Sequence, residues 1–274
     1  MILFPNAKIN LGLYITGKRA DGYHLLDTVF YPIPLKDIIE FRANNELSDD
    51  TLTVNGNVDT GKCEDNLVLK AVRKMREATQ VPYLEIQLTK AIPSGAGMGG
   101  GSADASFMLK GLRDAYAPQI DNAQLKEIAL SLGADCPFFI DNTPSEAQGI
   151  GEILHPMPHL NLKGYYLIIV KPDLHISTAE AFHGLPSITP PLHSAAEIAR
   201  LPIAEWKGRM SNVFEDSLFP QYPILGELKD MLYRHRAVYA SMTGSGSALY
   251  ALCTESLLDK ISEVNNCFVW EKQL

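Results

Sequence analysis

The sequence predicts an α+β fold, with strands and helices mixed but without strict β-α-β alternation. Three observations carry that expectation. A cleanly alternating strand runs straight into a glycine-rich turn and then into an amphipathic helix. The apolar N-terminal stretch reads as a strand, a turn and a second strand. Late in the chain, a second glycine turn joins two strand-like segments between two helical ones.

In chain order, residues 7–16 read as a strand rich in Ile, Leu and Tyr. The run Gly17-Lys18-Arg19-Ala20-Asp21-Gly22 supplies turn chemistry, Asp-Gly being a strong hairpin signal, and a second strand is expected over 26–33. Residues 37–43 and 52–54 read as short strands. Over 66–78, Leu67, Val68, Ala71, Val72 and Met75 fall at a helical period. Leu84, Ile86 and Leu88 alternate through 83–90, the pattern of a half-buried strand. Beyond Ser102, the residues Ala105, Met108, Leu109, Leu112 and Tyr116 recur at helical spacing. Asp121 or Asn122 caps a further helix carrying Leu125, Ile128, Ala129 and Leu132, which Gly133 ends. The Gly- and Pro-rich stretch 144–159 reads as a lobe boundary, and a buried strand follows over 165–170. The proline-dense stretch 185–201 is expected to loop over the surface. Helices over 223–236 and 255–265 flank the turn Met242-Thr243-Gly244-Ser245-Gly246-Ser247, which joins strand-like 237–241 and 248–253. Two domains are expected, 1–152 and 153–274.

The 274 residues are 46% hydrophobic and 20% charged, the balance of a folded globular chain with a sizeable core. No apolar run is long enough to span a bilayer, and the first residues lack the charged and apolar regions of a signal peptide, so a cytoplasmic protein without membrane partners is expected. The formal net charge of −8 argues against nucleic acid as a partner. Cys63, Cys136, Cys253 and Cys267 are far apart and form no CxxC pair, which reads as reduced thiols. His155 and His159 have i,i+4 spacing, but Pro156 and Pro158 forbid a regular helix, so a loop rather than a metal site is expected.

The strongest chemical signal is Pro93-Ser94-Gly95-Ala96-Gly97-Met98-Gly99-Gly100-Gly101-Ser102, followed by Ala103. Glycine lets a backbone take positive φ and approach a ligand closely. Exposed amides followed by a helix N-terminus form an anion site, and Ser102 brings a hydroxyl to a phosphate oxygen or its Mg²⁺. The spelling Gly95-x-Gly97-x-x-Gly100 matches the dinucleotide fingerprint, but that fold needs a second strand ending in an acid about 20 residues on. Asp114 and Asp121 lie within or beside helices instead. The P-loop pattern also fails, because Gly101 stands where its lysine would be. On residue chemistry alone, Lys8 suits a solvated strand position or one facing a cleft. Asp135, set among Cys136, Pro137 and Phe138, suits a cap or turn residue or a poorly solvated functional acid. Tyr23 and His24 fit an exposed hairpin tip.

Asn6-Ala7-Lys8-Ile9-Asn10, the glycine-rich run and Thr243-Gly244-Ser245-Gly246 together resemble the GHMP kinases, the superfamily of galactokinase, homoserine kinase and mevalonate kinase. Met98 replaces the usual leucine of the second motif, a volume-conserving change. The segments Lys8-Ile9-Asn10-Leu11-Gly12-Leu13, Arg19-Ala20-Asp21-Gly22-Tyr23-His24, Gly133-Ala134-Asp135-Cys136-Pro137-Phe138, Gly149-Ile150-Gly151-Glu152 and Ser211-Asn212-Val213-Phe214-Glu215 narrow the resemblance. They point to the branch that phosphorylates a cytidine diphosphate derivative of methylerythritol in the non-mevalonate route to isoprenoids. The match is weakest from 144 to 201, where Ser177, Thr178 and Phe182 agree in kind.

The resemblance implies a two-lobed fold, with an N-terminal ribosomal S5-like domain and a C-terminal ferredoxin-like domain. It implies transfer of the γ-phosphoryl of ATP to the 2-hydroxyl of the methylerythritol unit. Asp135 would be the base, and Lys8 would hold its carboxylate charged and stabilise the transferring phosphoryl, a reaction that needs mainly alignment and electrostatic stabilisation. ATP would be bound by the glycine-rich run with Asn66 and Lys90. Tyr23 and Phe182 would sandwich cytosine, His24 would read its edge, and Asn10 and Thr178 would bind nearby. ATP is the expected co-substrate with Mg²⁺ on its phosphates, and no carboxylate pair in the sequence marks a separate metal cage. Partners are expected to be these two small molecules only, with the chain a monomer or weak homodimer. Another GHMP kinase activity, such as that of homoserine kinase, is the alternative.

Overall fold

The computed structural model describes residues 1–56, 65–185, 190–261, 264 and 266–274. Cys63, part of the 185–201 stretch and the end of the helix expected over 255–265 lie outside them. The elements in chain order are β1 (Ile2–Leu3), β2 (Asn6–Lys18), β3 (His24–Lys36), β4 (Ile38–Ala43), β5 (Thr51–Asn55), α1 (Leu67–Ala78), β6 (Leu84–Thr89), α2 (Gly100–Tyr116), α3 (Asn122–Leu130), α4 (Cys136–Asp141), β7 (Ser145–Gln148), β8 (Ile153–Pro156), β9 (Tyr166–Pro172), α5 (Thr178–His183), α6 (Ala195–Ala199), α7 (Phe214–Gln221), α8 (Pro223–Arg234), β10 (Tyr239–Met242), β11 (Leu249–Cys253), α9 (Leu258–Ile261) and β12 (Cys267–Gln273). They form two compact units that interleave along the chain: residues 1–8, 32–94 and 99–143 in one, and 9–31, 95–98 and 144–274 in the other. The units are discontinuous because β2 and β3 each give residues to both, whereas the division expected at 152/153 is a single cut in the sequence.

In the first unit the sheet order is β1-β4-β6-β5, with β4 antiparallel and β5 parallel to β6. The alternation read at Leu84, Ile86 and Leu88 buries all three against Val68, Val72 and Met75 of α1 and Met108, Leu109 and Leu112 of α2. Asn66 starts α1 as its N-cap, its side-chain oxygen accepting the Val68 N–H at 2.9 Å, an interaction worth about 1 kcal/mol. Asp121 caps α3 through a reciprocal pair of bonds with Gln124. The helix α4 is absent from the sequence reading, which offered Asp135 as a cap or turn residue or a poorly solvated acid. Six residues are too few to show a helical period, and the Pro137 that signals a break sits in the first turn, where proline is tolerated.

In the second unit one sheet has the order β2-β3-β7-β8 and the other β10-β11-β9-β12, antiparallel throughout. Phe214, Leu218, Leu225, Leu228 and Leu232 of α7 and α8 pack on Ile168, Val170, Ala240 and Ala251 of the latter sheet. The stretch 144–159, read as a lobe boundary, begins where the chain passes from one unit to the other at 143/144. It folds as the β7–β8 hairpin, with Ser145 opposite Pro156, and His155 lies on β8 rather than in a loop. Gly and Pro there mark a tight turn and a strand end. Within 185–201, α6 buries Ala195, Ala196, Ile198 and Ala199 under a Ser194–Glu197 capping box, so this part is not surface loop. The strand β12, which the sequence reading did not include, pairs with β9 from Cys267–Pro172 to Gln273–Tyr166. Cys136 and Cys253 are buried free thiols and Cys267 a half-buried one, and burial pushes the Cys136 thiol up to about 11.

Candidate active site

In the first unit, β6 leads through Pro93 to the glycines and the start of α2. Gly99 has φ of +68° and caps α2 with no side-chain hydrogen bond, so the first-turn N–H groups are left for an anion. A β-carbon on Gly99 would stand 3.0 Å from the Phe139 ring and 3.3 Å from Lys8 Cε. Only glycine fits there, and the Lys8 stem packs against the loop at that point.

Lys8 and Asp135 meet. Lys8 Nζ is 3.3 Å from Asp135 Oδ2, with the lysine side chain 4% exposed and the aspartate 31%. Asp135 occupies the N-cap position of α4 without making a capping bond. Two contacts that the sequence reading missed fix this pair. The side chains of Asn6 and Asn142 exchange amide hydrogen bonds at 2.6 and 3.2 Å, tying the start of β2 to the end of α4. The Ser106 hydroxyl lies 2.8 Å from both the Ser102 and Cys136 carbonyl oxygens, tying the first turn of α2 to that of α4. Ser106 lies four residues beyond Ser102 on α2, and that helical spacing is the one signal that could have singled it out.

Asn66 and Lys90, expected at the nucleotide, also belong to this unit. Asn66 caps α1, as described above. Lys90 is buried, and its Nζ bonds Asp37 and, at 2.6 Å, Asp104. It lies 3.5 Å from where a β-carbon on Gly100 would be. The Asp37 carboxylate also accepts the N–H groups of Ala91 and Ile92. Asp104 Oδ2 meets the ammonium, and its Oδ1 is buried without a hydrogen-bond partner. Burial, then the neighbouring Asp37 charge, push the Asp104 carboxyl up to about 7 against the pull of Lys90. The Lys90 ammonium is held above its ordinary value, because the two acids outweigh the cost of its burial. Neither acid was among the sequence candidates, since a lone Asp after a strand or inside a helix gives no signal.

In the second unit, Gly97 approaches the later glycine turn so closely that a β-carbon on it would stand 2.1 Å from the Thr243 carbonyl oxygen. The Thr243 hydroxyl accepts the Asn10 N–H at 3.0 Å and lies 3.3 Å from both Asn10 Oδ1 and the Gly97 carbonyl oxygen. Asn10 Nδ2 donates to Thr28 Oγ1 at 3.0 Å. Two of the expected motif segments thus meet at one hydroxyl. Tyr23 lies at the tip between β2 and β3 and is 60% exposed. Phe182 meets the rings of His24, stacked at 4.8 Å and 19°, and of Phe214, edge-on at 5.0 Å, rather than that of Tyr23. The His24 imidazole is pushed below its ordinary value by partial burial and then by Lys18. Thr178 begins α5, its hydroxyl 3.5 Å from that of Ser245. Among the described residues no helix is long and apolar enough to cross a membrane.

Comparison with known proteins agrees with these features. Residues 66–142 match the GHMP kinases N terminal domain, and 195–271 the GHMP kinases C terminal domain. The chain is 50% identical over 272 residues to the 4-diphosphocytidyl-2-C-methyl-D-erythritol kinase of Porphyromonas gingivalis, covering 99% of this chain and 98% of that one. It is 50% identical over 274 residues to the kinase of the same name from Bacteroides fragilis, covering 99% of each. A crystal structure of 4-(cytidine 5'-diphospho)-2C-methyl-D-erythritol kinase superposes with a TM-score of 0.81 at 30% identity, over 99% of this chain and 98% of that one. The mevalonate kinase of Methanococcus jannaschii shares the fold, with a TM-score of 0.72 at 15% identity over 100% of this chain and 98% of that one. A Lys8–Asp135 pair beside an uncapped glycine-rich helix start, in a chain half identical to these enzymes over its whole length, has one family assignment: the chain belongs to the 4-diphosphocytidyl-2-C-methyl-D-erythritol kinases, within the GHMP kinase superfamily.

Proposed function

We propose that this chain transfers the γ-phosphoryl of ATP to the 2-hydroxyl of 4-diphosphocytidyl-2-C-methyl-D-erythritol, giving the 2-phosphate and ADP in the non-mevalonate route to isoprenoid precursors. The observation that carries the reading is the 3.3 Å Lys8–Asp135 pair against the glycine cap of α2. The free amides of α2 bind phosphate oxygens, with the run from Pro93 to Ala103 cradling the chain of phosphates. Asp135 accepts the proton of the 2-hydroxyl as the oxygen attacks phosphorus. Lys8 orients Asp135 and offsets charge on the transferring group. Asn66 and Lys90 line the nucleotide site. Asn10, Tyr23, His24, Thr178 and Phe182 bind the cytidine end, with the Phe182 ring moving off His24 to take cytosine.

Mg²⁺ would come with ATP as part of the substrate and would neutralise charge on its phosphates. The Ser102 hydroxyl, at the start of α2, is the side chain that would help to hold it. A cytoplasmic monomer or weak homodimer fits a substrate pair that is entirely small and soluble. The test is product analysis. ³¹P NMR should show ADP and a phosphomonoester on the tertiary 2-position, and phosphate on any other hydroxyl would refute the assignment.

A further inference from the structure

The segment Ser211-Asn212-Val213-Phe214-Glu215 shares the family pattern but has no part in the chemistry so far described. Two of its three polar side chains, Asn212 and Glu215, are 2% and 8% exposed, and both turn inward within the second unit. They meet β10, an edge strand whose outer side has no strand to pair with. At Ala240 that outer side is satisfied by the Tyr233 hydroxyl, which bonds both the N–H and the carbonyl. At Met242, two residues on and hence on the same edge, Glu215 Oε1 accepts the N–H at 2.7 Å and Asn212 Nδ2 donates to the carbonyl at 2.9 Å.

Strand capping explains the Met242 contacts but not the rest. Asn212 Nδ2 makes a second donation, to the Gly244 carbonyl at 2.9 Å, so one amide holds the peptide oxygens on both sides of Thr243. Glu215 Oε1 accepts the Ser241 hydroxyl at 2.9 Å as well. The clamp is itself anchored. Asn212 Oδ1 accepts the Phe214 N–H, Leu13 and Ser211–Val213 exchange backbone bonds at 2.9 Å, and Lys229 pairs with Glu215 Oε2. What these bonds orient is the Thr243 hydroxyl, which lies at once on Asn10 and on Gly97.

We propose that Asn212 and Glu215 are positioning residues for phosphoryl transfer, fixing the turn at residues 242–244 so that Thr243 sets Asn10 and Gly97 together. The inference rests on the reading of Asn10 as an acceptor contact and Gly97 as part of the phosphate cradle. A rotation of this turn displaces both, and misplacement of about 1 Å is enough to cost substantial rate or affinity.

The test is steady-state kinetics of Asn212→Ala with MgATP and with the cytidylyl acceptor, on protein shown by circular dichroism to be folded. Both KM values are expected to rise about tenfold. A purely structural role lowers the active fraction, and so kcat, and leaves both KM values where they were. Glu215→Gln keeps the Oε1 acceptor for Ser241 and Met242 and gives up only the pairing with Lys229, so both KM values are expected to stay within about threefold of wild type, whereas Glu215→Ala behaves like Asn212→Ala. Thr243→Val combined with Asn212→Ala should be less than additive. If Asn212→Ala fails to fold, Asn212→Ser, which keeps one donor, carries the same measurement. Unchanged KM values in a folded variant, Glu215→Gln as impaired as Glu215→Ala, or strict additivity with Thr243→Val would each overturn the proposal while leaving the assigned reaction intact. A wild type that turns over neither substrate would remove both.

Discussion

The Lys8–Asp135 pair and the Tyr23–His24 tip are both read as substrate contacts, yet they are held in opposite ways. Lys8 is almost wholly buried, and the elements carrying the pair are tied by the Asn6–Asn142 amide exchange and by Ser106. Tyr23 stands 60% exposed on a turn closed by an Asp21 carboxylate accepting its N–H, and His24 stacks on Phe182. The difference follows from what each region must do. In-line transfer depends on placement to fractions of an ångström, so its groups are locked by burial and hydrogen bonds. Stacking a flat base draws on area, which exposed rings supply while still able to move. Substitutions in the two regions should therefore act on different kinetic constants.

The largest expected effect tests the locked region. Asp135→Asn should lower kcat by about 10³-fold or more while the Kd for MgATP, measured by calorimetry, stays near wild type. Near-normal turnover would dissolve the contrast by removing the base. Next is Gly99→Val. Its side chain would meet the Phe139 ring and Lys8, and the φ of +68° disfavours any β-branched residue, so MgATP binding should weaken by about 10²-fold. Tyr23→Ala sharpens the other side. KM for the cytidylyl acceptor should rise about tenfold with kcat and thermal stability little changed, because an exposed ring contributes to binding but not to the fold.

The smallest effect on turnover, and the most specific to the locked region, concerns Asp104. Folded, it keeps its proton up to about pH 7, whereas unfolded it releases it near 3.8. Between these values the native state binds more protons, so this group's stabilising contribution is present below pH 3.8 and is lost as pH rises to about 7. Asp104→Asn should remove that slope. Thermal melts at a series of pH values would show it, and parallel curves for the two proteins would mean that the carboxyl is not the titrating group.

The two regions also differed in how much the sequence revealed. The glycine cradle, the helix behind it and the Leu84–Ile86–Leu88 strand were legible, because strand and helix periods and glycine chemistry are local properties. The meeting of Lys8 and Asp135 was not local. It came from family resemblance, since no spacing relates a strand residue to one 127 positions later, and α4 was too short to register. Asp37, Asp104 and Ser106 escaped notice because their roles exist only through their partners in space. At the acceptor end, the DGYH turn stood out as a turn. That Phe182 rests on His24 depends on α5, which begins at a serine cap inside the weakly matching stretch. Hairpin β7–β8 and helix α6 were hidden for a related reason, as their glycines and prolines mark turns and ends rather than the absence of structure.

Acceptor identity is the claim on which everything else depends, and a coupled ADP-release assay across candidate alcohols tests it most directly. With purified protein and MgATP, ADP release is predicted with 4-diphosphocytidyl-2-C-methyl-D-erythritol and at background level with homoserine and mevalonate. Turnover of homoserine or mevalonate, with none of the cytidylyl substrate, would contradict the account.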